Sequence, residues 1–141
     1  MNEKIPCSVL VLTLNAAETL PRCLRNLDPF GEILIHDGNS TDRTVEIAKS
    51  FGVRVLRQVE TDEPNVRVRD FTAVRLKQRA DAMYDWVLYL DADEYLSDEL
   101  VQEIGGILKT AHEKVIVKFP RLPVVDGRVT RHGAFWPEVV P

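Results

Sequence analysis

At 141 residues with a formal net charge of −4, the chain is long enough for one domain with a real core and too short for two enzymatic lobes. Its 45% apolar and 28% charged residues are ordinary for a globular protein. The acid excess speaks against a nucleic-acid backbone as the main partner, which needs a dense basic face. Two cysteines, Cys7 and Cys23, make no disulfide framework and read as small buried hydrophobes. No run approaches the roughly 18 apolar residues that span a bilayer, and the first residues lack the apolar core of a secretion signal. The expected location is the cytoplasm, with peripheral membrane association left open.

Residues 7–14 (Cys-Ser-Val-Leu-Val-Leu-Thr-Leu) are rich in β-formers and predict a central first strand. Asn15 breaks it. Leu20, Cys23, Leu24 and Leu27 then recur at helical spacing, with Pro21 tolerable in the first turn. Glu32-Ile-Leu-Ile-His36 is a second strand ending in Asp37-Gly-Asn-Ser-Thr-Asp42. Ser40, Thr41 or Asp42 can cap the next helix, with Val45, Ile47, Ala48 and Phe51 as its apolar stripe and Gly52 as its stop. Residues 53–56 predict a third strand, and residues 61–65 a turn or mobile loop.

From Val66 to Met83 the pattern is helical, with Phe71, Val74 and Ala82 as core positions. Arg67, Arg69, Arg75, Lys77 and Arg79 fall on its solvated side. Next comes Trp86-Val-Leu-Tyr-Leu-Asp91-Ala-Asp93-Glu94, an apolar run ending abruptly in carboxylates. Consecutive apolar positions suggest a strand covered on both faces. Ser97 caps a further helix bearing Leu100, Ile104, Ile107 and Leu108. Residues 115–119 predict a fifth strand. Asp126-Gly127 signals a hairpin, followed by a loop with His132 and Trp136.

Strands alternating with helices across short connections argue for an α/β fold, a mostly parallel sheet with helices on both sides. Right-handed crossovers then bring the carboxyl ends of the first, second and fourth strands to one edge, where open α/β sheets bind ligands. If strand geometry persists, Asp91 and Asp93, two apart, aim at one place. Hard oxygen ligands there suit Mg²⁺ or Mn²⁺. The competing reading makes them a turn ahead of a capped helix. Asp37 has a rival as turn chemistry with Gly38-Asn39, and Ser40-Thr41-Asp42 reads as capping rather than catalysis.

Taken together, Val11-Leu-Thr-Leu-Asn15, Glu32-Ile-Leu-Ile-His-Asp37-Gly-Asn-Ser-Thr-Asp42 and Trp86-Val-Leu-Tyr-Leu-Asp91-Ala-Asp93-Glu94 resemble the family 2 glycosyltransferases of GT-A fold, in order and over nearly the whole chain. The nearest flavour is the bacterial branch related to lipopolysaccharide-core glucosyltransferases. The resemblance implies a nucleoside-diphosphate-sugar donor, with a lean to UDP, and a glycan or lipid-linked acceptor in cell-envelope polysaccharide synthesis. It implies nucleobase contact from Thr13, Leu14 and Asn15, and uracil or ribose contact from Asp37. Asp91 and Ala92 would lie at the ribose, and Asp93, with Asp91, would hold a divalent cation (Mn²⁺ or Mg²⁺). Arg69 is the matching nucleotide arginine, although Asp70 stands where Asn is common, and Glu18 is a weaker candidate.

The residue types suit the chemistry. A diphosphate becomes a good leaving group when a cation neutralises its developing charge, arginine can clamp phosphate oxygens, and inversion needs a general base for the acceptor hydroxyl. Asp37-Gly-Asn-Ser replaces the family's pair of adjacent acids. Only about fifty residues follow the metal motif, so a single, C-terminally incomplete nucleotide-binding domain is expected over 1–141, with 122–141 as a hairpin and loop tail. Neither Asp126 nor Glu138 is read as the base. Two other classes remain open: an inactive nucleotide-sugar-binding or interaction module able to self-associate, and a nucleotidyltransferase. The latter would carry a Gly-rich basic loop where Leu14-Asn-Ala-Ala-Glu18 stands.

Overall fold

The computed structural model describes residues 3–130. It divides into two compact units, Met1–Thr110 and Ala111–Pro141. In chain order the first holds β1 (Ile5–Thr13), α1 (Leu20–Leu24), β2 (Phe30–Asp37), α2 (Thr44–Ser50), β3 (Arg54–Arg57), α3 (Phe71–Asp81), β4 (Trp86–Asp91) and α4 (Asp98–Thr110). The expected parallel sheet forms, in the order β3-β2-β1-β4, with every ladder parallel.

β1 runs through the middle because both its faces are apolar: successive residues Val9, Leu10 and Val11 are each at most 1% exposed. Side chains alternate across a strand, so burial of neighbours means cover on both sides. The α3 side carries polar groups as well. Glu32 accepts from Ser8 Oγ (2.5 Å), the Met83 N–H (2.7 Å) and Arg54 (3.2 Å). His36, wholly buried, meets Asp81 at 2.8 Å through Nε2. A charged side chain in a core must be paired in this way.

Several expectations are corrected. α3 begins at Phe71, five residues after the predicted start at Val66, because Asp70 caps it by accepting the Ala73 N–H at 3.0 Å. Phe71 is therefore a first-turn residue and 59% exposed, not core, while Gln78 takes an inward place. Phe51 is also exposed, since α2 buries Thr44 and Ala48 instead. β4 is covered less than its composition suggests: it pairs with β1 alone among the described residues, and only Leu90 is buried. The fifth strand predicted at residues 115–119 is absent; Ile116 is 90% exposed there. An apolar run becomes a strand only where a neighbouring backbone pairs with it.

In the second unit β5 (Val124–Val125) and β6 (Arg128–Val129) form the expected hairpin, with positive φ at both Asp126 and Gly127, as a type I′ turn requires. His132, Trp136 and Glu138 lie outside the described residues.

Candidate functional site

The ladder registers bring the strand ends together. Thr13 pairs with Asp37 across β1 and β2, and Leu12 with Asp91 across β1 and β4. Three segments distant in sequence thus reach one edge, as their composition implies. Asp37 is buried, and its carboxylate accepts from Thr13 Oγ1 (2.7 Å), the Ser40 N–H (2.8 Å) and Ser40 Oγ (2.6 Å). It ties the β1 terminus to the loop after β2. The Gly38 N–H extends the same tie to the Thr13 carbonyl at 2.9 Å.

Three asparagines in left-handed conformation, Asn15, Asn39 and Asn65, knot the loops after β1, β2 and β3. This is the one non-glycine residue type, with Asp, that tolerates such φ readily. Asn15 Oδ1 accepts from the Thr41 N–H (2.9 Å) and its Nδ2 donates to Asn65 Oδ1 (2.9 Å). Asn39 Nδ2 donates to the Thr61 and Glu63 carbonyls (2.8 and 2.7 Å). The Val66 N–H donates to the Gly38 carbonyl at 2.7 Å, and a Cβ on Gly38 would stand 2.4 Å from the Val66 oxygen. Only glycine allows so close an approach.

Asp42 accepts from the Ala17 N–H (3.1 Å) and from the Thr44 N–H (2.9 Å) just ahead of α2, but the N-cap position falls on Arg43 and no side chain caps the helix there, so the cap expected from Ser40, Thr41 or Asp42 does not form. Burial nudges its carboxyl upward, but the bonds from Thr44 and Ala17 outweigh it and hold the pKa below the usual value.

The end of β4 is built differently. The strand stops at Asp91 and residues 91–94 turn: the Glu94 N–H donates to the Asp91 carbonyl (3.0 Å), and Glu94 accepts from the Asp91 N–H (2.9 Å). Extended geometry does not persist to Asp93, so the i, i+2 alignment is replaced by a turn, the rival reading of this motif. Both Asp91 and Asp93 are exposed. α1 and the residues just after it brace the segment that follows the turn: Asn26 Nδ2 donates to the Leu96 carbonyl (3.1 Å) and Arg22 stacks 3.8 Å from the Tyr95 ring centroid. Burial, then Glu94, Asp93 and Asp91 in that order, push the Cys23 thiol up to about 12. The three carboxylates thus act on one small region as a negative field.

Among the described residues no three His, Cys, Asp or Glu side chains form a ready-made cage for a metal. The donor set that is present, two aspartates on one short turn, fits a hard divalent cation that takes its other oxygens from water and a substrate diphosphate.

Between these ends opens a cleft of about 360 Å³, within the size range of small-molecule sites. Leu12, Thr13 and Leu14 form one wall with Asp91; Val66, Arg67, Val68 and Phe71 form another, and Gln58 completes it. Of the residues singled out in the sequence, Thr13, Leu14 and Asp91 line it. Asp37 and Asn15 stand behind as supports, and Ala92 and Asp93 continue the turn. Arg69 is exposed and outside the lining, where Arg67 stands instead. Gln58, Val66, Val68 and Phe71 carried no signal of their own; Phe71 resembled a core residue because the helix start was placed too early.

A parallel sheet with a ligand-sized cleft at the carboxyl ends of its central strands defines a binding domain of the open α/β class. The comparisons make the class specific. The model of Glycosyl transferase family 2 matches residues 8–139, and the chain belongs to that family. A glycosyltransferase of Rickettsia bellii is 30% identical over 132 residues, covering 92% of this chain and 42% of the relative. The lipopolysaccharide core biosynthesis glycosyltransferase LpsC of Rhizobium meliloti is 27% identical over 90% of the chain and 46% of its own length. Among solved structures, S. aureus TarS superposes with a TM-score of 0.64 at 22% identity, covering 86% of this chain and 37% of TarS. Glucosyl-3-phosphoglycerate synthase from Mycobacterium tuberculosis, in complex with Mn²⁺ and UDP-glucose, gives 0.57 at 28% identity, covering 75% and 40%. The fold is the GT-A fold of these enzymes. The chain spans less than half the length of the curated relatives it matches.

Proposed function

We propose that this chain provides the donor-binding part of a metal-dependent, inverting glycosyltransferase, which moves a sugar from a UDP-linked donor to a glycan or lipid-linked acceptor. The observation that carries this reading is the cleft itself. An apolar slot between Leu12, Leu14 and Val66, Val68 leads to Asp91 at the head of an acidic turn. A flat base suits the slot, and a diphosphate suits the acidic turn once a cation is shared.

In this reading Thr13, held by Asp37, sets the floor under the nucleoside, with Asn15 fixing the surrounding loops. Asp91 and Ala92 border the ribose. Asp93, with Asp91, would hold Mn²⁺ or Mg²⁺, which when bound neutralises charge on the departing diphosphate. Arg67, which lines the cleft, and Arg69, two residues on in the chain, are the arginines assigned to phosphate oxygens. The general base that inversion requires is assigned to no residue here. No helix among the described residues is long and apolar enough to cross a membrane; the reaction is proposed for the cytoplasm, at the inner membrane face when the acceptor is lipid-linked.

Calorimetric titration of UDP with and without Mn²⁺, on this chain and on Asp93→Ala, tests the reading. Affinity that rises with Mn²⁺ and loses that rise in the variant is expected. Metal-indifferent binding, or an unaltered variant, would overturn the cation's part in it. Hydrolysis of UDP-sugar by the same sample separates an enzyme from an inert binding module.

A further inference from the structure

We propose that Gln58 is the residue that reads the nucleobase, presenting its carboxamide to the imide edge of uracil. The proposal rests on the reading of the cleft as a nucleoside site and adds to it the group that recognises the base. Gln58 is the first residue past β3. Its backbone N–H donates to the Asp37 carbonyl at 2.9 Å, which continues the β2–β3 ladder and fixes the main chain. The residue is only 3% exposed and lines the cleft.

Its side-chain amide makes no hydrogen bond among the described residues. A buried amide without a partner is costly, so such groups in folded proteins call for an explanation. Two side-chain atoms among the described residues are both sealed from solvent and unpartnered, His36 Nδ1 and Gln78 Nε2. The amide atoms of Gln58 are not among them. The Gln58 amide therefore keeps some access to solvent, and the cleft is an opening that the residue lines.

The chemistry of the wall narrows the ligand. Leu12, Leu14, Val66, Val68 and Phe71 offer dispersion, Arg67 and Asp91 are charged, and the Thr13 hydroxyl is committed to Asp37, so Gln58 stands as the neutral amide donor–acceptor pair of the lining. A neutral amide has little to offer a phosphate, which charged donors hold far better. It matches a flat ring whose edge carries an N–H beside a carbonyl: the amide oxygen accepts from uracil N3–H while the amide N–H₂ donates to the neighbouring carbonyl oxygen. A site that pairs a polar ligand edge in this way rejects an analogue lacking it, because the protein group is then left unpaired.

The test uses UDP and its N3-methyl analogue, with Mn²⁺ present, on the wild-type chain and Gln58→Ala. The wild type should favour UDP over N3-methyl-UDP by about tenfold or more, and Gln58→Ala should lose about tenfold in UDP affinity while changing N3-methyl-UDP binding less than twofold. If the wild type binds UDP and Gln58→Ala keeps the same preference for it over the methylated base, the assignment to Gln58 is overturned and the nucleoside site stands. If the wild type binds neither ligand, the nucleoside reading of the cleft falls, and this assignment with it. Should a thermal melt show Gln58→Ala to be unfolded, Gln58→Leu, close in volume and lacking both the acceptor and the donor, carries the same comparison: the preference for UDP should again disappear.

Discussion

β2 ends in Asp37 and the turn after β4 carries Asp93, and the fold treats these two aspartates in opposite ways. Asp37 is buried and its carboxylate is committed to Thr13 and Ser40, three donors in all. Asp93 is exposed and makes no hydrogen bond among the described residues. A carboxylate saturated by its own chain organises the loops around it. One that the fold leaves in water retains its oxygens for a ligand. The two halves of the edge therefore differ in what a mutation should cost: stability on the β2 side, affinity on the β4 side.

The largest effect is expected at Asp37. Asp37→Ala strands the Thr13 hydroxyl and the Ser40 N–H together and should lower the free energy of unfolding by about 3 kcal/mol, measured by urea denaturation. A loss below about 1 kcal/mol would show that the loop does not depend on that carboxylate. Gly38→Ala comes next, at about 2 kcal/mol, because the new methyl meets the Val66 oxygen; UDP affinity should fall with it, since Val66 is cleft wall. Asp93→Ala inverts the pattern. Unfolding should stay within about 0.5 kcal/mol of the parent, while the gain in UDP affinity from Mn²⁺ drops about tenfold, a factor equal to roughly 1.4 kcal/mol.

Asn65→Gly keeps the positive φ and removes only the side chain that joins Asn15 and Thr41, so a loss of about 1 kcal/mol is expected. Asn65→Ala should cost more, since alanine resists that φ; equal losses would mean the conformation carries no strain.

Acidification should produce the gentlest change, again on the β2 side. Burial lowers the His36 pKa, outweighing the bond to Asp81, with Lys77 and Arg54 acting in the same downward sense. The bond from Lys77, then that from His36, holds Asp81 low. Depressed folded values give stability that is present above the unfolded pKa and is lost as pH falls. The His36 contribution should therefore fade below about pH 6.5 and those of Asp81 and Asp42 below about pH 3.8. Urea midpoints at pH 7.5 and 5.5 should separate in the wild type and converge in His36→Gln.

Much of the architecture was legible in composition. β-rich runs of nearly unbroken apolar residues, alternating with helical spacing, left few options besides a parallel sheet, and residues 7–14, 32–36 and 86–90 form three of its four strands with shifts of a residue or two. The convergence of Thr13, Asp37 and Asp91 followed from chain topology alone. What misled were elements that depend on a partner. Residues 115–119 have every local mark of a strand and pair with nothing among the described residues. Phe71 matched a helical core period, yet the period says which residues share a face and not what that face meets.

The site divides along the same line. Residue types and their order, acids after apolar strands and asparagines in the loops, were properties of the sequence, because strand ends and turns are decided by neighbours a few positions away. The separate duties of the two aspartates, the close pass of Val66 over Gly38 and the cleft wall made by Gln58, Arg67 and Phe71 were decided only in three dimensions. Each depends on which loops meet, and hydrogen bonds spanning 24 to 50 positions, such as Thr13 to Asp37 and Asn15 to Asn65, are set by the packing of the sheet rather than by any local preference.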